Sequence, residues 1–438
     1  MRCCGCLSRR LQWREVRAIA ANLGNHITDM FSYVLVCTLV FPLAWTICNG
    51  PKIAFMQVAG GCIALAWLGL KKDVFVLFKL SPFIFAGILY ALAAYVSNEP
   101  RDTYPYQAAM VLLFYGLPTG LCFRRLVAMG RGRAVSWALM SFAVVMSIVG
   151  LIILKNPEVQ RITAEATGGF QRTNGSDTEV IVYLRYFSIT NVIIGIVPFT
   201  LFALAAFPAA LTERGMLLKI FICGTAIIAA YTNVQIATRT TLMAAALSSV
   251  LVMLLAFRSM SWRRLMGFGA FMLVLAGAGI AYVTHKSDRF YYLMDRFAAM
   301  GSDSRLGIWS EAFKILQRTP DGHGIRQLQS HEWAHNLFLD VGLTDGWIAI
   351  VAMALLYGGA FFLAWRCVRS ANFFDSGANV IMLGWLMASF VASMILPPQL
   401  AFLATMHISL GFFAPYRVPA SAANPDWPEM GQPARMAY

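Results

Sequence analysis

Charged side chains are scarce in this 438-residue sequence, 13% against 59% apolar, and a chain so poor in charge is not read as a soluble globular domain. Other absences narrow the reading further. No small-residue cleavage site follows the first apolar run, so the leading MRCCGCLSRRLQWREVR, with its five arginines, is read as the flank of an uncleaved anchor and not as a signal peptide. The nine cysteines all avoid the two long polar stretches between apolar runs, which excludes a structural disulfide there. Cys3, Cys4 and Cys6 have no second cysteine pair or histidine nearby and are read as free thiols, not as a metal or lipidation site. There is no low-complexity tract and no repeat of fixed period.

What the chain has instead is apolar runs of spanning length, from residue 27 to residue 415. They predict twelve spans, at 27–48, 53–70, 74–96, 107–123, 134–154, 186–207, 218–238, 241–257, 265–283, 340–365, 377–395 and 399–416. Backbone amides in lipid must bond internally, and runs this long and continuous do not suit ten-residue barrel strands. The expected fold is all-α, a polytopic membrane protein.

Lysines and arginines give the orientation. A cytoplasmic N-terminus, residues 1–26, puts Lys71 with Lys72, Arg124 through Arg133, Arg258 with Arg263 and Arg264, and Arg366 with Arg369 on one side. The short loops opposite carry one basic residue each, Lys52, Arg101 and Arg239. Two long loops, 155–185 and 284–339, then lie outside, and the tail 417–438 returns to the cytoplasm as a disordered Pro- and Ala-rich end. About 20 of the 35 basic residues are accounted for by cytoplasmic topology, so the net charge of +14 is no argument for nucleic acid, and membrane lipids are the expected surroundings.

The second long loop carries the chemistry-bearing residues. Leu306, Trp309, Phe313 and Leu316 recur at helical spacing after Ser304 and before Pro320, predicting an amphipathic helix that lies along the membrane surface. Arg305 falls in its first turn, where the helix dipole disfavours a cation unless an anionic ligand is present. Pro320-Asp321-Gly322-His323-Gly324 is a tight turn that brings the chain back toward the membrane. Four of the six histidines, 285, 323, 331 and 335, lie in this loop. His331-Glu332-Trp333-Ala334-His335 matches HExxH, the helical zinc-protease pattern, but no third ligand stands out downstream and the loop carries seven basic residues. The other reading takes His335-Asn336 as the functional pair at the membrane boundary, where a neutral imidazole can accept a proton from a hydroxyl and nearby arginines disfavour its cationic form.

Topology puts Arg185, Arg239 and Arg305 on the same side as His335. Each could simply snorkel. Arginine also grips phosphate through a planar fork, and several together would hold a lipid-linked pyrophosphate without metal.

The pattern Arg305-x3-Trp309, Pro320-x-Gly322-x-Gly324, His335-Asn336-x-Phe338-Leu339, Gly342 and Gly346, with Thr238-Arg239 opening an upstream span, resembles the O-antigen ligase and polymerase superfamily. It covers about 110 residues, and the span layout with a large late loop is similar throughout. The resemblance implies a GT-C-type glycosyltransferase of the inner membrane that passes a glycan from undecaprenyl diphosphate to a hydroxyl of lipid A core, inverting the transferred sugar and using no metal, nucleotide or other cofactor. It implies His335 as the base, Arg239 and Arg305 on the diphosphate, and Asn336 and Trp309 in support; Arg185 joins them by topology alone. Thr238 where serine is common, and Leu343-Thr344-Asp345 in place of a glycine and isoleucine-type run, leave polymerase as an alternative to ligase. An O-linked protein oligosaccharyltransferase would differ only in its acceptor. A transporter would favour charge within the spans, where Lys79 is the exception.

Overall fold

The computed structural model describes residues 27–44, 53–97, 104–155, 192–213, 215–236, 239–256, 305–324, 327–328, 334, 336–370, 372–395 and 400–415, with 262, 266, 269 and 270; for some of these it describes the backbone alone. Among the described residues 88% are helical and none is in a strand, so the protein is all-α, as the apolar runs require. Among the described residues five helices are long and apolar enough to cross a membrane: Ile27–Ala44, Val74–Ser97, Gly132–Ile152, Met216–Asn233 and Leu337–Val368. The protein is therefore membrane-embedded.

In chain order we label α1 (Ile27–Ala44), α2 (Ile53–Leu70), α3 (Ser81–Ser97), α4 (Tyr104–Ala128), α5 (Gly132–Lys155), α6 (Val192–Ala205), the single turn α7 (Ala209–Thr212), α8 (Met216–Ile236), α9 (Arg239–Ala256), α10 (Arg305–Arg318), α11 (Leu337–Val368), α12 (Gly377–Ser393) and α13 (Leu400–Phe412). A helix falls on every expected span but 265–283, most of which lies outside the described residues. The expected span 74–96 differs in form: its first seven residues, Val74–Leu80, are a 3-10 helix. Pro82 follows directly, and a proline suits the first turn of the helix it opens better than the interior of one that continues. Lys79 is thus exposed on the 3-10 turn.

The helices are held by small residues where backbones approach. Gly116 and Gly120 of α4 form a GxxxG pair facing α13, and Gly411 of α13 lies against the Leu117 carbonyl in return. A Cβ on Gly120 would collide with the Ile408 carbonyl oxygen and stand 2.7 Å from the Phe412 amide nitrogen. Gly120→Val is expected to force α4 and α13 apart and cost about 1–3 kcal/mol or more, read as a lowered unfolding temperature in detergent. Elsewhere α12 meets α6 through Trp385, whose ring stacks on Phe202 at 4.9 Å and whose Nε1 donates to the Phe202 carbonyl at 3.1 Å.

Contacts sort the helix ends onto two faces. On one, Arg131 in the α4–α5 turn donates to Asp29 at the start of α1 at 2.8 Å, and Arg125 pairs with Asp73 of the turn after α2 at 3.0 Å. On that face Ser136 of α5 donates to Glu213 at 3.3 Å, Glu213 abuts Gly377 at the start of α12, and Cys367 of α11 contacts the Phe413 carbonyl at 3.6 Å. On the other face Ser97 at the end of α3 meets Asp345 near the start of α11, and Asn336 reaches Met394 at the end of α12. The start of α1, the turn after α2 and the α4–α5 turn, which the lysine and arginine pattern assigns to one side, therefore meet one another.

Candidate functional site

Helix α10 forms where spacing predicts, Arg305–Arg318, and stops before Pro320. Its buried stripe is offset from the expected one: Ile308, Ala312, Ile315 and Leu316 are buried with Leu328, Ala334 and Leu343, whereas Leu306 is 74% exposed and Phe313 45%. The adjacent stripe wins because α11 and the returning loop offer it a surface to pack on. Phe313 instead meets Trp347 edge to face, ring centroids 6.4 Å apart at 86°.

The turn after α10 docks on a break in α11. At Gly346 the backbone leaves helical geometry, φ 81° and ψ −179°, in a region essentially reserved for glycine. Helix α11 is thus two segments, Leu337–Asp345 and Trp347–Val368, where the sequence predicts one uninterrupted span. A break strands backbone polar groups that lipid cannot satisfy. Here the 320–324 turn satisfies them: Gly324 N–H donates to the Leu343 carbonyl at 2.7 Å, His323 N–H to Thr344 at 3.4 Å, and Trp347 N–H to the Pro320 carbonyl at 3.0 Å. Gly322, at φ 102°, is packed against the Thr344 carbonyl, and a Cβ on Gly324 would crowd Ile315 and Thr319. The glycines of the turn and of α11 that form the sequence pattern therefore meet at one place.

Two buried carboxylates flank the break, and sequence reading missed both. Asp345 accepts from Ser97 Oγ at 3.2 Å. Asp340 is fully buried; its Oδ1 accepts the Ala334 N–H at 2.6 Å and its Oδ2 accepts the Asn336 N–H at 3.0 Å. Two aspartates at the mouth of an apolar run were the available signal, since ionisable groups at membrane depth are rarely incidental.

Asn336 is the N-cap of α11. Its Oδ1 accepts from Phe338 N–H at 3.1 Å and Leu339 N–H at 3.3 Å, and its Nδ2 donates to the Met394 carbonyl at 3.3 Å. Trp309 Nε1 donates to the Ala334 carbonyl at 2.9 Å. The backbone on both sides of position 335 is thereby fixed to α10, α11 and α12.

His335 itself lies outside the described residues, as do Arg185, His331 and Glu332, the cysteines at 3, 4 and 6, and most of the loops 155–185 and 284–304. Arg239 and Arg305 are each the first residue of a helix, α9 and α10, and their side chains are not described. Among the described residues no three of His, Cys, Asp and Glu gather as a metal site would require. Chemically, the described part of the site is a hydrogen-bonded frame around one short segment. No protein-family model matches the chain, and no characterised protein matches it in sequence.

Proposed function

We propose that this protein is an O-antigen ligase, transferring polysaccharide from undecaprenyl diphosphate to a hydroxyl of lipid A core at the periplasmic face of the inner membrane, through a twelve-span fold of the GT-C type. The observation that carries the reading is the convergence of the sequence pattern. Trp309 and Asn336 fix the backbone at 334 and 336, on either side of His335, while Pro320, Gly322, Gly324 and Gly346 seat the turn on the break in the same helix α11 and Gly342 packs on Leu316 of α10.

In the reaction the acceptor oxygen attacks the anomeric carbon as the bond from that carbon to the diphosphate oxygen breaks. The hydroxyl proton passes to His335, and undecaprenyl diphosphate departs with the bonding pair. A single in-line displacement inverts the sugar. Arg239 and Arg305, each opening a helix, are assigned to the diphosphate together with Arg185; guanidinium and dipole then act on the same anion. Diphosphate is a good leaving group, so positioning and charge stabilisation suffice, and we assign no metal, nucleotide or other cofactor.

The test is transfer of a lipid-linked glycan to purified lipid A core in detergent, with and without EDTA. Undiminished product in chelator is expected. Loss of product in chelator would sink the metal-free reading and return HExxH at 331–335 to consideration. Donor consumption with no product on lipid A core would move the assignment to a polymerase or a protein-glycosylating enzyme.

A further inference from the structure

We infer that Asp340 is the positioning residue of this site, setting where residue 335 stands by gripping the peptide on both sides of it. The inference rests on the ligase reading for what residue 335 does, but not for the grip itself.

A cap at the start of α11 would need much less. In a capping box the N-cap side chain takes an amide of the first turn, and an acid or amide from that turn reaches back to the N-cap N–H. Asn336 and Asp340 do this: Asn336 Oδ1 takes the amides of Phe338 and Leu339, and Asp340 Oδ2 takes the amide of Asn336. The second oxygen goes further, to the Ala334 N–H at 2.6 Å, an amide that belongs to no helix. The backbone from 334 to 336 is thus closed into a ring on one carboxylate.

A carboxylate suits that ring better than a neutral side chain. An amide could take both N–H groups only on its single oxygen while its NH2 sought an acceptor, whereas the carboxylate gives one oxygen to each N–H and donates nothing. Keeping an ionisable group fully buried beside an apolar run is costly, which argues against a role that asparagine could fill. Other ties oppose rotation of the ring. Trp309 holds the Ala334 carbonyl from α10, Asn336 Nδ2 holds the Met394 carbonyl at the end of α12, and the Asp340 N–H donates to the Asn336 carbonyl at 2.8 Å. Of the described residues that touch the bracket, Asp340 alone binds both sides of position 335.

The experiment compares wild type with Asp340→Asn and with Trp309→Phe, which removes the Nε1 donor together with part of the indole ring. Two readouts are taken on full-length protein: kcat and KM for transfer at saturating lipid A core, and the resonances of ring-labelled histidines, with that of residue 335 identified by its loss in His335→Gln. Asp340→Asn is expected to lower kcat about 10²-fold, the scale of a displacement near 1 Å, with KM for the donor unchanged and the His335 resonance shifted. Trp309→Phe is expected to move the same two readouts less, with kcat falling about tenfold. A helix cap and nothing more would lower thermal stability and leave both readouts alone. An unmoved resonance, or an unchanged kcat, in both variants overturns the inference; if Asp340→Asn does not fold, Trp309→Phe decides by the same criteria. A shifted resonance in protein whose wild type transfers nothing would overturn the ligase reading and leave the grip standing.

Discussion

Replacing His335 with alanine is expected to abolish transfer to lipid A core while leaving the protein folded and able to bind the lipid-linked donor. General base assistance is worth about 10²–10⁴-fold, and the acceptor, an unactivated sugar hydroxyl, cannot attack well without losing its proton. The described hydrogen bonds of the frame run from Asp340 and Trp309 to the backbone of residues 334 and 336, and from Asn336 Nδ2 to the Met394 carbonyl. Unfolding temperature in detergent is therefore expected to match wild type. Donor affinity is expected to persist as well, because it is assigned to the arginines. Full transfer by His335→Ala protein would remove the base from the mechanism and leave the arginines to act on the leaving group alone.

Gly346→Ala is expected to have a large effect for a single methyl group. At φ 81° and ψ −179° a side chain costs about 1–3 kcal/mol in backbone strain before any contact is considered. The added Cβ would also stand 2.8 Å from the Pro320 carbonyl oxygen, which accepts the Trp347 N–H at 3.0 Å. That oxygen belongs to backbone and cannot rotate away as a side chain could. Either α11 straightens or the 320–324 turn leaves its seat, and both outcomes break the main-chain bonds of Leu343, Thr344 and Trp347. The expected result is poor recovery of folded protein, or folded protein without transfer activity, read by thermal unfolding and by the lipid A core assay. Gly359→Ala, where the three atoms nearest the added carbon all belong to the ring of Phe83, is the control for a close contact without the special dihedral.

Apolar length in the sequence shows almost all of the helices, because spanning segments are selected by hydrophobicity summed over many residues and tolerate local exceptions. The break at Gly346 escapes that sum. Residues 340–365 read as one greasy run, and only the hydrogen bonds from a turn twenty residues upstream make the break affordable. The 3-10 entry before Pro82 escapes it for the same reason. The packing face of α10 is displaced by one stripe because two adjacent apolar stripes exist and only the neighbours choose between them. In the site, the family resemblance singled out Trp309 and Asn336, and the structure gives each a definite partner. Asp340 was hidden by its setting, since a lone acid at the edge of an apolar segment looks like a boundary marker until its two amide partners are seen.

The seat of the 320–324 turn is made wholly of main-chain atoms, while the side chains of Asp321 and His323 stand exposed beside it. A fastening that reads only backbone is indifferent to what Asp321 carries, whereas His323 also acts electrostatically on the buried Asp345. Mutational drift can therefore explore charge and size at 321 without risking the fastening. The rim of the site can diversify there while the seat of the turn stays fixed, and position 321 is one where a fluorophore or crosslinker can be attached with little disturbance.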